Sequence, residues 1–306
     1  MAVLEARGLG KTYARRGRST RALDQVDLAI QKDQLFTILG RNGAGKTTFI
    51  KIAATLLLPS DGELRLFGHD VVAEPKAVRP LMALVPQEGR PFFHMTPREH
   101  IREYLRVRGA SREAAQSRTD EILDAMDLRA FQDTVAFQLS GGLQQRTLVA
   151  MVLATEAPFL FLDEPTLGMD PFARRQVWKV VRRAVQHGST VLLTTHYLDE
   201  AEQLSDELAV FEGGKLVYQG TSEALKSNLG REVRLQFFGG FTPAELEPYG
   251  KVFHERDRLT LLTTQNSVRE LTDRALSRGR EVTVGPVTLE EAFLELVGRG
   301  IEEDEQ

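Results

Sequence analysis

Cysteine is absent from all 306 residues. That excludes disulfides, thiolate metal sites and a cysteine nucleophile, and it fits a cytoplasmic setting. Long apolar runs are also missing: none approaches the roughly eighteen residues that a membrane span needs. The longest, Leu148 to Ala154, lies between Thr147 and Thr155 and reads as a buried helix. If the protein works at a membrane, another chain is expected to cross it. The opening MAVLEARGLGKTYARRGRS has no apolar centre of the kind a secretory signal carries. Nor is there a basic surplus. The net charge is −4, which argues against a general nucleic-acid binder. No fixed-period repeat is visible. With 42% apolar and 27% charged residues, the chain reads as a globular protein long enough for two domains.

What is present is an alternation of strand-like and helix-like stretches. The apolar runs LFTIL, LMALV, FLFL and VLLTT look like buried parallel strands separated by helices, the pattern of an α/β core. VLEARGLGKTY and GELRLFGHDV alternate, as strands of a half-exposed antiparallel sheet do. Residues 88–138 are charged and helical, and Thr96, Pro97 and Glu99 make a capping box with proline at the first helical position. This stretch reads as a helical insertion. The pattern restarts near residue 229. A strand, a short capped helix, a hairpin, a helix, a further strand and a last helix capped by Thr288 and Glu291 suggest a small α+β domain over 229–306. Its IEEDEQ tail is expected to fray.

LFTILGRNGAGKTTFIK contains Gly40, then four residues, then Gly45-Lys46-Thr47, with a strand before and a helix after. That is a phosphate-binding loop in its required context. Gly40, Gly43 and Gly45 permit a tight nest of N–H groups facing phosphate oxygens. Lys46 supplies a point charge, and the Thr47 hydroxyl suits Mg²⁺. FLFLDEP ends a buried strand on two acids, which places Asp163 and Glu164 at the carboxyl edge of the sheet, where α/β proteins bind ligands. Asp163 suits a role beside Mg²⁺, and Glu164 is free to deprotonate a water. Gln87 and His196 each follow a strand and could reach the metal, the attacking water or a γ-phosphate. Tyr13, before the loop, could stack on a base. Ser140, Gly141 and Gly142 in QLSGGLQQR open a helix whose free N–H groups make a second anion site.

Together these motifs resemble the ATPase subunit of ABC transporters over residues 1–228. Gly40 to Thr48, including Asn42, Ala44 and Thr48, match Walker A. Gln87 matches the Q-loop, LSGGLQQR the family signature, FLFLDEP Walker B, LGMD ending at Asp170 the D-loop, His196 the switch histidine, and Tyr13 the adenine-stacking aromatic. The family usually has glutamine where this chain has Leu143. An apolar residue there, and the C-terminal TLEEAFLELVG, are similar to the export branch that includes daunorubicin-resistance ATPases. The resemblance implies a P-loop NTPase with a mainly parallel core sheet, an antiparallel β-subdomain, a helical insertion and the small C-terminal domain. It implies an ATPase that uses ATP and Mg²⁺ and pairs head to tail as a homodimer or with a second ATPase subunit. The signature of one subunit would cover the γ-phosphate held by the P-loop of the other. The ATPase would sit on the cytoplasmic face of the cell membrane and drive separate transmembrane permease subunits through a groove near Phe92, Phe93, His94 and Glu99. No nucleic acid is expected as a partner. A soluble ABC ATPase acting on ribosomes or DNA, or a non-hydrolysing regulatory subunit, is the alternative. Neither a second ATPase domain nor a long coiled coil appears, and Glu164 and His196 are both present.

Overall fold

The computed structural model describes residues 1–15, 18–255 and 258–304. Contacts divide the chain into two compact units, Met1–Gln219 and Gly220–Gln306.

In the first unit, two long strands, β1 (Ala2–Arg15) and β2 (Arg18–Gln31), pair antiparallel. They bury Leu4, Ala6 and Leu9 with Leu23, Val26, Leu28 and Ile30. Next come β3 (Leu35–Leu39), α1 (Lys46–Ala53), β4 (Asp61–Leu66), β5 (His69–Asp70), the single turn α2 (Pro75–Val78) and β6 (Met82–Val85). A helical layer follows: α3 (Pro97–Val107), α4 (Arg112–Ala125) and α5 (Gly141–Leu153). The unit closes with β7 (Phe159–Asp163), α6 (Pro171–Gln186), β8 (Thr190–Thr195), α7 (Leu198–Leu204), β9 (Glu207–Glu212) and β10 (Lys215–Gly220).

Two sheets result. One has the order β2-β1-β4-β5, and its determined pairings are antiparallel. The other has the order β10-β9-β3-β8-β7-β6, and β9, β3, β8, β7 and β6 run parallel. Every residue of β3, β7 and β8 is buried, which is why these strands are built mainly of apolar residues, with buried polar exceptions that include Thr37, Thr194 and Asp163. Phe36, Phe49, Phe159, Phe161 and Phe211 fill the layer between the sheets, with Phe49 edge-on to Phe211. Each such ring contributes about 1.5–3 kcal/mol through burial. The helical layer holds Ile101, Leu105, Ala115 and Leu123 against Leu148 and Val149 of α5. Its first helix begins at the expected capping box, with the Thr96 hydroxyl accepting from Glu99 N and Glu99 accepting from Thr96 N. The residues just before it, 88–96, are loop and turn.

The second unit contains α8 (Ser222–Ser227), β11 (Val233–Phe237), α9 (Pro243–Leu246), β12 (Lys251–Glu255), β13 (Arg258–Thr263), α10 (Gln265–Ser277), β14 (Val282–Pro286) and α11 (Leu289–Asp304). The sheet order is β12-β13-β11-β14, antiparallel throughout, on a β-α-β-β-α-β chain path of ferredoxin-like type. Leu235, Phe237, Leu259 and Leu261 pack against Leu246, Leu271 and Ala275. The acidic tail, expected to fray, is helix as far as Asp304, and its last two residues lie outside the described ones.

Candidate functional site

Four parallel strands end side by side, and each delivers one part of the site. After β3 the chain turns through Gly40–Gly45 into α1. Gly43 and Gly45 have φ of 86° and 104°, values that favour glycine. Gly40 has no room for a side chain: a Cβ there would lie 2.5 Å from the Phe211 carbonyl oxygen. Ala44 is buried and its N–H donates to Arg41 O, whereas Asn42 is exposed at the rim. Lys46 is buried and folds back over the loop, donating to Gly40 O at 2.6 Å and Arg41 O at 3.1 Å. Burial lowers its pKa, and Glu164 and Asp163 pull the other way.

Thr47 meets the next two strands. Its Oγ1 lies 3.2 Å from Gln87 Oε1, just past β6, and 3.3 Å from Asp163 Oδ1 at the end of β7. One hydrogen is shared among three hard oxygens, the donor chemistry that suits Mg²⁺. These residues therefore fit the metal that the sequence implied. Asp163 also accepts from Thr194 Oγ1 at 2.6 Å. Burial raises its pKa, and so does Glu164, against the hydrogen bonds from Thr194 and Thr47.

Glu164 is 6% exposed and sits at φ 50°, a left-handed backbone conformation that is strained for a glutamate. Its N–H is held by both the carbonyl and the hydroxyl oxygen of Thr194, each at 3.1 Å. His196, one residue past β8, places Nδ1 3.3 Å from Glu164 Oε2 and tilts against the Tyr197 ring. Arg174 lies over that ring in turn, 4.9 Å from its centroid. A threonine inside a buried strand carries no motif, so the sequence gives no sign of Thr194; only the strand pairing shows that it anchors both acids.

Tyr13 stands on β1, 41% exposed, with its hydroxyl 3.4 Å from Thr48 Oγ1 and Lys11 over its ring. It flanks the P-loop helix and leaves a ring face to solvent.

Ser140 caps α5, its hydroxyl accepting from Leu143 N at 3.3 Å. Gln144 donates to Ala136 O and Leu139 O, which ties down the preceding turn. Leu143 packs into the apolar layer. A Cβ on Gly142 would meet Gly168 O at 3.4 Å, so the signature helix lies against the Gly168–Asp170 turn. Gly141 faces open space. Asp170 caps α6 by accepting from Phe172 N and Ala173 N, and these backbone bonds, Ala173 first, lower its pKa. Among the described residues, no hydrogen bond or ion pair joins Ser140, Gly141, Gly142 or Asp170 to the Gly40–Thr48 loop. The structure thus brings Lys46, Thr47, Gln87, Asp163, Glu164 and His196 together and leaves the signature and D-loop as a second group.

Phe92 and Phe93 are 74% and 55% exposed. Phe92 stacks on His100, and His94 meets the exposed Phe137 edge-on. The Glu99 carboxylate is taken up by its cap on Thr96.

Residues 23–167 match the family model described as ABC transporter. The chain is 38% identical to the daunorubicin/doxorubicin resistance ATP-binding protein DrrA of Streptomyces peucetius, over 96% of this chain and 92% of that protein. The chain belongs to the ABC transporter family, as an ATP-binding subunit. It is likewise 37% identical to the daunorubicin resistance ATP-binding protein DrrA3 of Streptomyces coeruleorubidus, over 91% of this chain and 92% of the relative. A solved ATP-binding subunit of an ABC transporter superposes with a TM-score of 0.68 at 25% identity, covering 74% of this chain and 93% of that one. A dimeric cassette in a post-hydrolysis state with ADP and Pi shares the fold, with a TM-score of 0.66 at 24% identity over 71% of this chain and 98% of that one. As an ABC ATPase the chain binds and hydrolyses ATP. No helix among the described residues is long and apolar enough to cross a membrane.

Proposed function

We propose that this chain is the motor of an exporter. It closes as a head-to-tail dimer over two MgATP, opens on hydrolysis, and drives a separate membrane permease from the cytoplasmic face of the membrane. The observation that carries this reading is the separation of two anion sites within one chain: the P-loop, and the Ser140 helix N-terminus, which has no bond to it among the described residues. A two-fold pair lets each face its counterpart.

In this reading the N–H groups of Asn42 to Thr48, with Gly40 giving the loop room, cradle the phosphates, and Lys46 carries the charge. Thr47, Gln87 and Asp163 would hold Mg²⁺. When bound, the metal neutralises phosphate charge. Glu164 orients the attacking water and takes its proton, Gln87 helps place that water, and His196 steadies Glu164 and reaches the γ-phosphate. Tyr13 stacks on the base beside Thr48. Ser140, Gly141 and Gly142 complete the partner's site, and Asp170 lines the same interface. The exposed rings of Phe92, Phe93 and Phe137 suit an apolar permease segment. The names of the drug-resistance relatives support export as the direction.

Complementation between two defective chains tests the shared site. Lys46→Ala disables the P-loop, and Ser140→Arg puts bulk and charge at the signature. Each homodimer is expected to be inactive. A mixed dimer, purified through two different tags, has one intact site and is expected to recover part of the hydrolysis. A mixed dimer that closes on ATP yet stays as inactive as its parents means that the signature serves its own P-loop.

A further inference from the structure

In the second unit the two faces of the sheet differ in chemistry. One is apolar and packs on α10. On the other, β11 presents Arg234 and Gln236, and the register sets Gln236 opposite Thr260 and Phe253 beside Thr260. The helix α11 crosses this face, and Glu291 accepts from Arg234 at 3.1 Å. Between them lies a cavity of about 220 Å³. A cavity of roughly 150 Å³ already accepts a benzene-sized molecule.

Polar groups inside this cavity lack partners. Gln236 is 9% exposed and Thr260 3% exposed, and among the described residues neither side chain has a hydrogen-bond partner. Of the polar atoms of Arg234, Gln236 and Thr260, Arg234 Nε is the one sealed from solvent without a partner. A sealed, unpartnered atom of this kind is rare in native interiors and asks for a ligand or water, while the Gln236 and Thr260 side chains reach the cavity. Two arginines, Arg234 and Arg258, and two glutamates, Glu290 and Glu291, line the space, so its charges balance. Glu291 is engaged by Arg234 and Thr288, whereas Glu290 is exposed at the mouth with no ion pair or hydrogen bond among the described residues. The walls thus offer donors at the bottom and a free carboxylate at the opening.

We propose that this cavity binds a small zwitterion of amino-acid size, with its carboxylate on Arg234, Gln236 and Thr260 and its ammonium on Glu290. The lining residues of this cavity all lie in the second unit.

The test uses the full chain. Thermal unfolding and calorimetric titration are run with each proteinogenic L-amino acid and with glycine betaine, and with acetate and methylamine as probes carrying one charge each. At least one zwitterion is expected to bind with a Kd of about 1 mM or tighter and to raise the melting temperature. Acetate and methylamine at the same concentration are expected to do neither. Thr260→Val and Glu290→Gln are each expected to weaken that binding about tenfold or more. Thr260→Val removes an unpartnered hydroxyl, so without ligand its melting temperature is expected to equal or exceed that of the parent. Three results would overturn the proposal: no zwitterion bound at millimolar concentration, acetate binding as well as any zwitterion, or Thr260→Val lowering the unliganded melting temperature. The last would mean that the hydroxyl holds a structural water.

Discussion

The imidazole of His196 lies 3.3 Å from the carboxylate of Glu164, across the ends of the adjacent strands β8 and β7. Both residues are set by β8. Thr194, two residues before the histidine, holds the Glu164 N–H and donates to Asp163. One strand therefore fixes the strained backbone of Glu164, the orientation of Asp163 and the start of the histidine turn.

Glu164→Gln keeps that shape and removes the basic oxygen. Steady-state phosphate release is expected to fall by roughly 10²–10⁴-fold, the usual contribution of a general base. ATP binding and the ATP-dependent increase in gel-filtration size are expected to persist. Near-normal turnover would remove Glu164 from the role of base.

Tyr13 offers an exposed ring beside the P-loop helix. Tyr13→Ala is expected to weaken ATP binding by about 1–3 kcal/mol, the worth of stacking a base on an aromatic ring. Inorganic triphosphate has no base and is expected to bind both forms equally. Equal weakening for the two ligands would mean that Tyr13 supports the loop and not the base.

Glu200 is fully buried on α7, where it accepts from Trp178 Nε1 at 2.7 Å and from Thr166 Oγ1 at 2.9 Å. Burial raises its pKa, against the pull of these hydrogen bonds. The folded chain thus holds this proton more tightly than the unfolded chain. Its contribution to stability is fully present below the ordinary carboxyl value, about 4.3, and declines as pH rises through the folded-state pKa. Glu200→Gln keeps an acceptor for both donors and removes the titration. Chemical denaturation of parent and variant across pH is expected to show a gap that moves in the variant's favour as pH rises. Glu200→Ala leaves the Trp178 and Thr166 donors unpaired and is expected to cost about 1–3 kcal/mol for each. A gap that does not change with pH would show that the Glu200 proton plays no part in stability.

How much of this was legible in the linear chain differs from element to element. The buried strands β3, β6, β7 and β8 are readable because strands covered on both faces are mainly apolar. The strands β2, β9 and β10 carry no such signal in the sequence. In β2 the apolar residues Leu23, Val26, Leu28 and Ile30 are interrupted by polar ones and by a bulged register against β1. The other two, β9 and β10, are joined by Gly213 and Gly214 at φ 53° and 83°, a tight turn whose partner strand β3 lies far back in the sequence.

The sequence by itself determined the chemistry. Glycine spacing, a lysine, a hydroxyl and two acids at strand ends are the groups on which the proposed phosphate and metal binding rests, because they act through local backbone shape and side-chain identity. Only the tertiary structure decided which groups meet. Thr194 reaches both acids because β7 and β8 are neighbours in register. His196 approaches Glu164 for the same reason. Gln236 and Thr260, unremarkable in sequence, face one cavity because β11 and β13 pair. Each juxtaposition depends on which strands pair and in which register. That choice comes from packing summed over the whole core, and no single stretch of residues carries it.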